Sequence, residues 1–273
     1  MTQRRGITLF QIFFLSFSYV FSGLFLIRET AFLSLFVPLA FVLLYGILGY
    51  LFLRLSPVCR EERWLSFLSG GSPHLLGRAF AVFLSLLGAV ELVFSWLAFA
   101  ASVYSFSEFL SFSFTAVAVL FLAIFVGAHG VTAIGRFSEL FSFLILPLVF
   151  WLVFFDFVPL DLGAFSENLY AFFIVSPAPI LYLFSMTALQ STAAPNTPNK
   201  PILIPVFCFL GALVAVLCAF LFILYGADKN NIFLLLFGWM AALARLSLLI
   251  CVCTADRAGR TGSVVCRKTK KQA

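Results

Sequence analysis

Of the 273 residues, 63% are apolar and 10% are charged, where an average soluble domain has about 45–50% and about 25%. Phe alone occurs 38 times and the mean hydropathy is +1.13, so the composition excludes a soluble enzyme, a disordered tail, a collagen and a nucleic-acid-binding domain. The net charge of +6 does not argue for nucleic acid, because most basic residues fall beside hydrophobic runs, where they orient a chain in a bilayer.

In chain order, hydrophobic runs fall at about 7–28, 31–54, 79–104, 112–128, 138–156, 169–189, 202–225 and 231–253. A crossing helix needs about 20 mostly apolar residues, and no run shows the ten-residue alternation of a membrane barrel strand. The expected fold is an all-α polytopic membrane protein with about eight transmembrane helices, spans 1 to 8, in a single transmembrane domain over 1–273. The first run follows two arginines but is longer than a signal-peptide core and lacks an A-x-A site, so it reads as span 1. Segment 57–77 is too polar to cross. Trp64, Phe67 and Leu68 share a helical face beside Arg60, Glu61 and Glu62, and Gly70-Gly71-Ser72-Pro73 ends it. That pattern predicts a short helix lying in the inner interface. Residues 254–273 read as a basic cytoplasmic tail, which is a stop signal for insertion or a patch that meets anionic lipid.

With the N-terminus inside, the cytoplasmic segments hold Arg4, Arg5, Arg54, Arg60, Arg63, Arg78, Arg136, Lys200 and the six basic residues from Arg257 to Lys271. These are 14 of the 17 Lys and Arg; only Arg28 and Lys229 fall outside, and Arg245 lies within span 8. The split predicts an integral multi-pass protein with both termini in the cytoplasm. None of the six cysteines falls clearly on an oxidising face, so no structural disulfide is expected. Cys251, Cys253 and Cys266 have no histidine near them and read as small filler, with no metal site.

A membrane helix satisfies its own backbone, and where it breaks the freed groups need a cavity, a ligand or a neighbour. Span 1 carries Ser22-Gly23, and span 6 carries Ser176-Pro177-Ala178-Pro179. Each proline lacks an N–H and clashes with the preceding turn. In a fold of two inverted five-helix repeats, spans 1 and 6 occupy corresponding positions, and paired breaks there point to a midplane site. The free N–H groups of half-helices would face an anionic group such as a carboxylate. Ordinary kinking is the competing reading. Pro38, Pro147 and Pro205 read as kinks, and Gly46 and Gly49 as close-packing positions.

Two charges lie deep. Glu91 is about 18 Å and Arg245 about 12 Å from the inner ends of spans 3 and 8, at about 1.5 Å per residue. Charge near the bilayer centre is costly and is paired, protonated or hydrated. One reading is an ion pair at a central site that tunes substrate or proton coupling. The other has Arg245 reaching inward to the interface and Glu91 protonated. His129, Arg136 and Glu139 gather at the start of span 5, where Arg136 and Glu139 are spaced to pair and His129 is a solvated loop residue or a proton sensor. Asp156 and Asp161 lie near the outer face, at a helix end or an entrance. No Walker loop, G-x-S-x-G, H-E-x-x-H or nucleotide fingerprint occurs. Neither catalytic residues nor a cofactor are therefore expected.

The opening ITLFQIFFLSFSYVFSGLFL, the segment GGSPHLLGRAF, and AHGVTAIGRFSELFSFLILPL at 128–148 followed by DFVPLDLGAF at 156–165 carry a resemblance. They resemble the spore germinant-receptor B-subunit (spore germination permease-like) family of the amino acid/polyamine/organocation (APC) transporter superfamily, over about residues 7–190. The resemblance implies a LeuT-like architecture, with repeat one at about 7–156 and a partial repeat two at about 169–253. It also implies a small nutrient ligand such as an amino acid, other germinant-receptor subunits as partners, and residence in the cell membrane or spore inner membrane. The ligand would lie between spans 1, 3, 6 and 8, near Ser22, Gly23, Glu91, Ser176, Pro177, Ala178, Pro179 and Arg245. The chain departs from the family in having eight spans rather than ten, and in lacking a Glu where span 6 ends YLFSMTALQ. A secondary amino acid transporter coupled to H⁺ or Na⁺, and a degenerate subunit that binds nothing, are the alternative readings.

Overall fold

The structure, a computed structural model, describes residues 7–30, 75–106, 110–143, 203–224 and 232–269. Every element among them is a helix: α1 (Leu9–Thr30), α2 (Leu75–Phe106), α3 (Phe112–Ala128), α4 (Val131–Ser142), α5 (Leu203–Leu224) and α6 (Ile232–Thr269). Three helices are long and apolar enough to cross a membrane, or four if α3 and α4 form one bent span. The character is that of a helical membrane protein. The helices answer to spans 1, 3, 4, 5, 7 and 8. The runs expected as spans 2 and 6, the segment before α2 expected to lie in the interface, Ser176 to Pro179, Asp156 and Asp161 lie outside the described residues.

Helix α1 begins with a reciprocal cap. The Thr8 hydroxyl accepts from the Gln11 N–H and the Gln11 side-chain oxygen accepts from the Thr8 N–H, both at 3.2 Å. Two donors that the first turn cannot satisfy internally are thereby used. The helix then runs unbroken through Ser22-Gly23 to Thr30, which corrects the expectation of a break there. The Ser22 hydroxyl donates to its own helix, at the Tyr19 carbonyl, 3.0 Å away, so the serine asks for no outside partner.

Helices α1 and α6 form the interior. Each has 72% of its apolar window buried, against 28% for α2. Phe17 and Phe21 stack on α1, and Phe237 of α6 meets Phe21 edge-on at 5.1 Å and Phe141 of α4 at 5.4 Å. On α2 and α3 the large apolar side chains Val93, Phe94, Phe114, Val117, Phe121 and Phe125 are exposed, as suits a lipid-facing surface. The contacts also fix relative direction. Glu91 of α2 meets Arg245 of α6 while Ser102 meets Trp239, so numbers rise along one helix as they fall along the other. The two are antiparallel. Tyr19 and Phe25 of α1 meet Arg245 and Gly238 of α6 in the same opposed order, which leaves α1 and α2 parallel.

Two boundaries and the role of one proline differ from expectation. Helix α4 begins at Val131, seven residues before the hydrophobic run at 138, because an amphipathic first turn propagates without being apolar throughout. It leaves α3 at a bend of 112°. Gly130 makes that corner with φ 84° and ψ 171°, a region essentially restricted to glycine. Helix α6 continues past 253 to Thr269, since no proline interrupts 232–269 and a helix need not end where hydropathy falls. The proposed tail is therefore largely a continuation of α6. Pro205 lies in the first turn of α5, where its missing N–H breaks no helical bond, so it is not a mid-span kink.

Candidate functional site

The two deep charges meet. Arg245 Nη2 lies 2.5 Å from Glu91 Oε1, with the side chains 6% and 2% exposed. The Tyr19 hydroxyl donates to the same Oε1 at 2.6 Å. Arg245 Nη1 donates to the Tyr19 carbonyl at 3.2 Å, and the guanidinium carbon stands 4.6 Å from the centre of the Tyr19 ring. One residue of α1 thus holds both partners of an ion pair that joins α2 to α6. Charge-assisted bonds of this kind are roughly twice as strong as neutral ones, and the cation–π contact adds to them once desolvated.

Gly23 makes room for this arrangement. A Cβ at that position would fall on Arg245 Nη1, closer than atoms can approach. The residue expected to unwind α1 instead stays helical and lets a guanidinium lie against the backbone. Ser22 is buried next to it and bonded within α1. Of the eight residues expected to line a ligand site, Ser22, Gly23, Glu91 and Arg245 come together. Ser176, Pro177, Ala178 and Pro179 lie outside the described residues.

Sequence reading missed Tyr19. The available signal was chemical: it is the only Tyr among the aromatic residues of α1, and a buried Tyr hydroxyl usually needs a partner. Some buried polar atoms have no hydrogen-bond partner among the described residues: Glu91 Oε2 and the hydroxyls of Ser138, Ser142 and Ser247. Among the described residues, Glu91 therefore receives two donors on one oxygen and none on the other.

The contacts near the start of α1 are simpler. Gln11 donates to Glu139 Oε2 at 3.3 Å, tying α1 to α4. The expected Arg136–Glu139 pair is not among the described ion pairs; Arg136 is exposed. His129 is exposed, with Nδ1 2.8 Å from the Phe125 carbonyl and its ring packed on Phe125, which is the geometry of a helix-end residue. Cys208, Cys218 and Cys251 carry thiols rather than disulfides. No group of metal-ligating side chains occurs among the described residues. Comparisons with family models, curated proteins and solved structures find no match.

Proposed function

We propose that this chain is a transporter-like membrane subunit, not an enzyme, which binds a small nutrient such as an amino acid and passes the event to partner subunits. The observation that carries the reading is the buried ion pair between Glu91 and Arg245, held by Tyr19. An intramembrane ion pair is costly and tends to mark a substrate or ion pathway. This one links three helices, so a ligand that competes for either charge changes how α1, α2 and α6 are tied. Its two charges match the carboxylate and ammonium of an amino acid.

The resemblance to germinant-receptor B subunits supplies the rest of the proposal: inverted five-helix repeats, an incomplete second repeat, and both termini in the cytoplasm at a cell membrane or spore inner membrane. The test is binding of a panel of amino acids to the full chain in lipid nanodiscs, with uptake into proteoliposomes measured in parallel. Saturable binding without uptake is expected. Robust uptake by the chain alone would make it a secondary transporter. Failure to bind any of the panel, even when co-expressed with partner subunits, would overturn the reading.

A further inference from the structure

Three hydrogen bonds around the ion pair form a closed triangle, one for each pair of helices. The Tyr19 hydroxyl donates to Glu91 Oε1 at 2.6 Å and joins α1 to α2. The Tyr19 carbonyl accepts from Arg245 Nη1 at 3.2 Å and joins α1 to α6. Arg245 Nη2 donates to Glu91 Oε1 at 2.5 Å and joins α2 to α6. The rings of Phe17, Phe21 and Phe237 hold α1 in the interior, but apolar attraction is non-directional and leaves a helix free to slide or turn. Hydrogen bonds weaken steeply once their length or angle fails, so the triangle fixes the register of α1. Gly23, one turn beyond Tyr19, lets Arg245 lie against α1, so the edge between α1 and α6 rests on shape as well as on a bond. The edge between α1 and α2 is the hydroxyl.

We infer that the Tyr19 hydroxyl is the coupling group of this site, and Tyr19 a positioning residue through which a change at the ion pair reaches α1. The same bond carries a shift of α1 back to the pair. The inference deepens the reading above by naming the residue that transmits the event, and it rests on that reading only for what the event is. Tyr19→Phe removes one edge of the triangle and keeps the ring. Arg245 still donates to Glu91 and to the carbonyl at position 19, so both charges keep a partner and α2 stays tied to α6. What is lost is the tie that makes α1 and α2 move together.

The experiment uses the full chain in nanodiscs, in a background lacking the native cysteines, and the rate at which a small methanethiosulfonate modifies single buried thiols. The reporters are Ser22→Cys on α1 and Ser95→Cys on α2, with Ser138→Cys on α4, which takes no part in the triangle, as the control. The three serines are 0%, 7% and 0% exposed, so each rate follows the population of an opened state. Tyr19→Phe is expected to speed modification at 22 and 95 at least about tenfold, the order of one charge-assisted hydrogen bond, and to leave 138 unchanged. In a Glu91→Leu and Arg245→Leu background the same substitution should have no further effect. Unchanged rates at 22 and 95 would overturn the inference. So would an equal rise at 138, which signals general loosening, or a rise that persists without the two charges, which assigns the hydroxyl to another partner. If the double-leucine background does not insert, the three reporters with the native pair decide alone. No ligand enters the measurement, so failure of nutrient binding would sink the receptor reading and leave the coupling standing, and failure of the coupling would leave binding untouched.

Discussion

Removing one partner of a buried ion pair strands the other charge and costs about 3–5 kcal/mol, whereas removing both is much milder. The Glu91–Arg245 pair, at 2.5 Å and nearly inaccessible, should follow that rule. Glu91→Gln and Arg245→Gln are each expected to lower thermal stability in detergent, and the double variant to lose less than the sum of the two. Purely additive losses would show that the two charges do not depend on each other. Gly23→Ala belongs to the same cycle. Its methyl group would displace Arg245 Nη1, a clash expected to cost about 1–3 kcal/mol. The cost should shrink in the Arg245→Gln background, where the shorter side chain no longer reaches. Glu91 and Arg245 were legible in the sequence because a charge inside an apolar run has so few explanations. Gly23 was legible as special but not in its role: a missing Cβ serves an unwound backbone and a close approach equally well, and only the third dimension separates them. Tyr19 was hidden among phenylalanines, since an aromatic residue in an apolar helix announces burial and not its hydrogen bond.

Hydropathy located the elements well and their ends poorly. Helices α3 and α5 coincide with their runs to within a residue, since both are apolar from end to end. Helices α4 and α6 extend beyond theirs, because helix continuity depends on backbone hydrogen bonds and the absence of proline, neither of which hydropathy measures. The corner between α3 and α4 sets how α3 packs on α6, and that contact can be trapped. A Cβ at Gly127 would stand 3.8 Å from Ile250 Cβ, the mean separation across a disulfide. In a background lacking the native cysteines, Gly127→Cys with Ile250→Cys is expected to cross-link under mild oxidation and to shift mobility on a non-reducing gel. The carbonyl of Ser247 lies 3.1 Å from the same position, so the helices must give by a few tenths of an ångström. Absence of the cross-link would mean that α3 does not lie against α6 in the membrane.

At the scale of the whole molecule, direction joins the charge pattern to the packing. A chain that crosses a bilayer repeatedly must send spans 1, 3 and 5 one way and spans 4 and 8 the other. Helices α1 and α2 are parallel and α6 opposes both. Helix α4 follows α1, with Gln11 near Gly135 and Phe14 against Phe143. Helix α3 opposes α2, with Trp96 bonded to the Ala116 carbonyl and Tyr104 against Phe112. Each relation is one that alternating crossings require of these described helices, and packing leaves unsaid which side is the cytoplasm. The expected orientation rests on the basic residues, 14 of 17 of which would fall on the cytoplasmic side with the N-terminus inside. Single cysteines in a background lacking the native ones should therefore react with a membrane-impermeant maleimide from outside at positions 110 and 165. Positions 60, 195 and 268 should react only after the membrane is opened. Position 110 is the most direct of these, because Leu110 is exposed in the short connection between α2 and α3. Reaction at 110 from the inside alone would invert the orientation and leave the helix pairing untouched. Reaction at 268 from outside, with 110 also outside, would instead require an odd number of crossings. The parallel and antiparallel pairs would then have to be reached by a different path through residues 31–74 and 144–202.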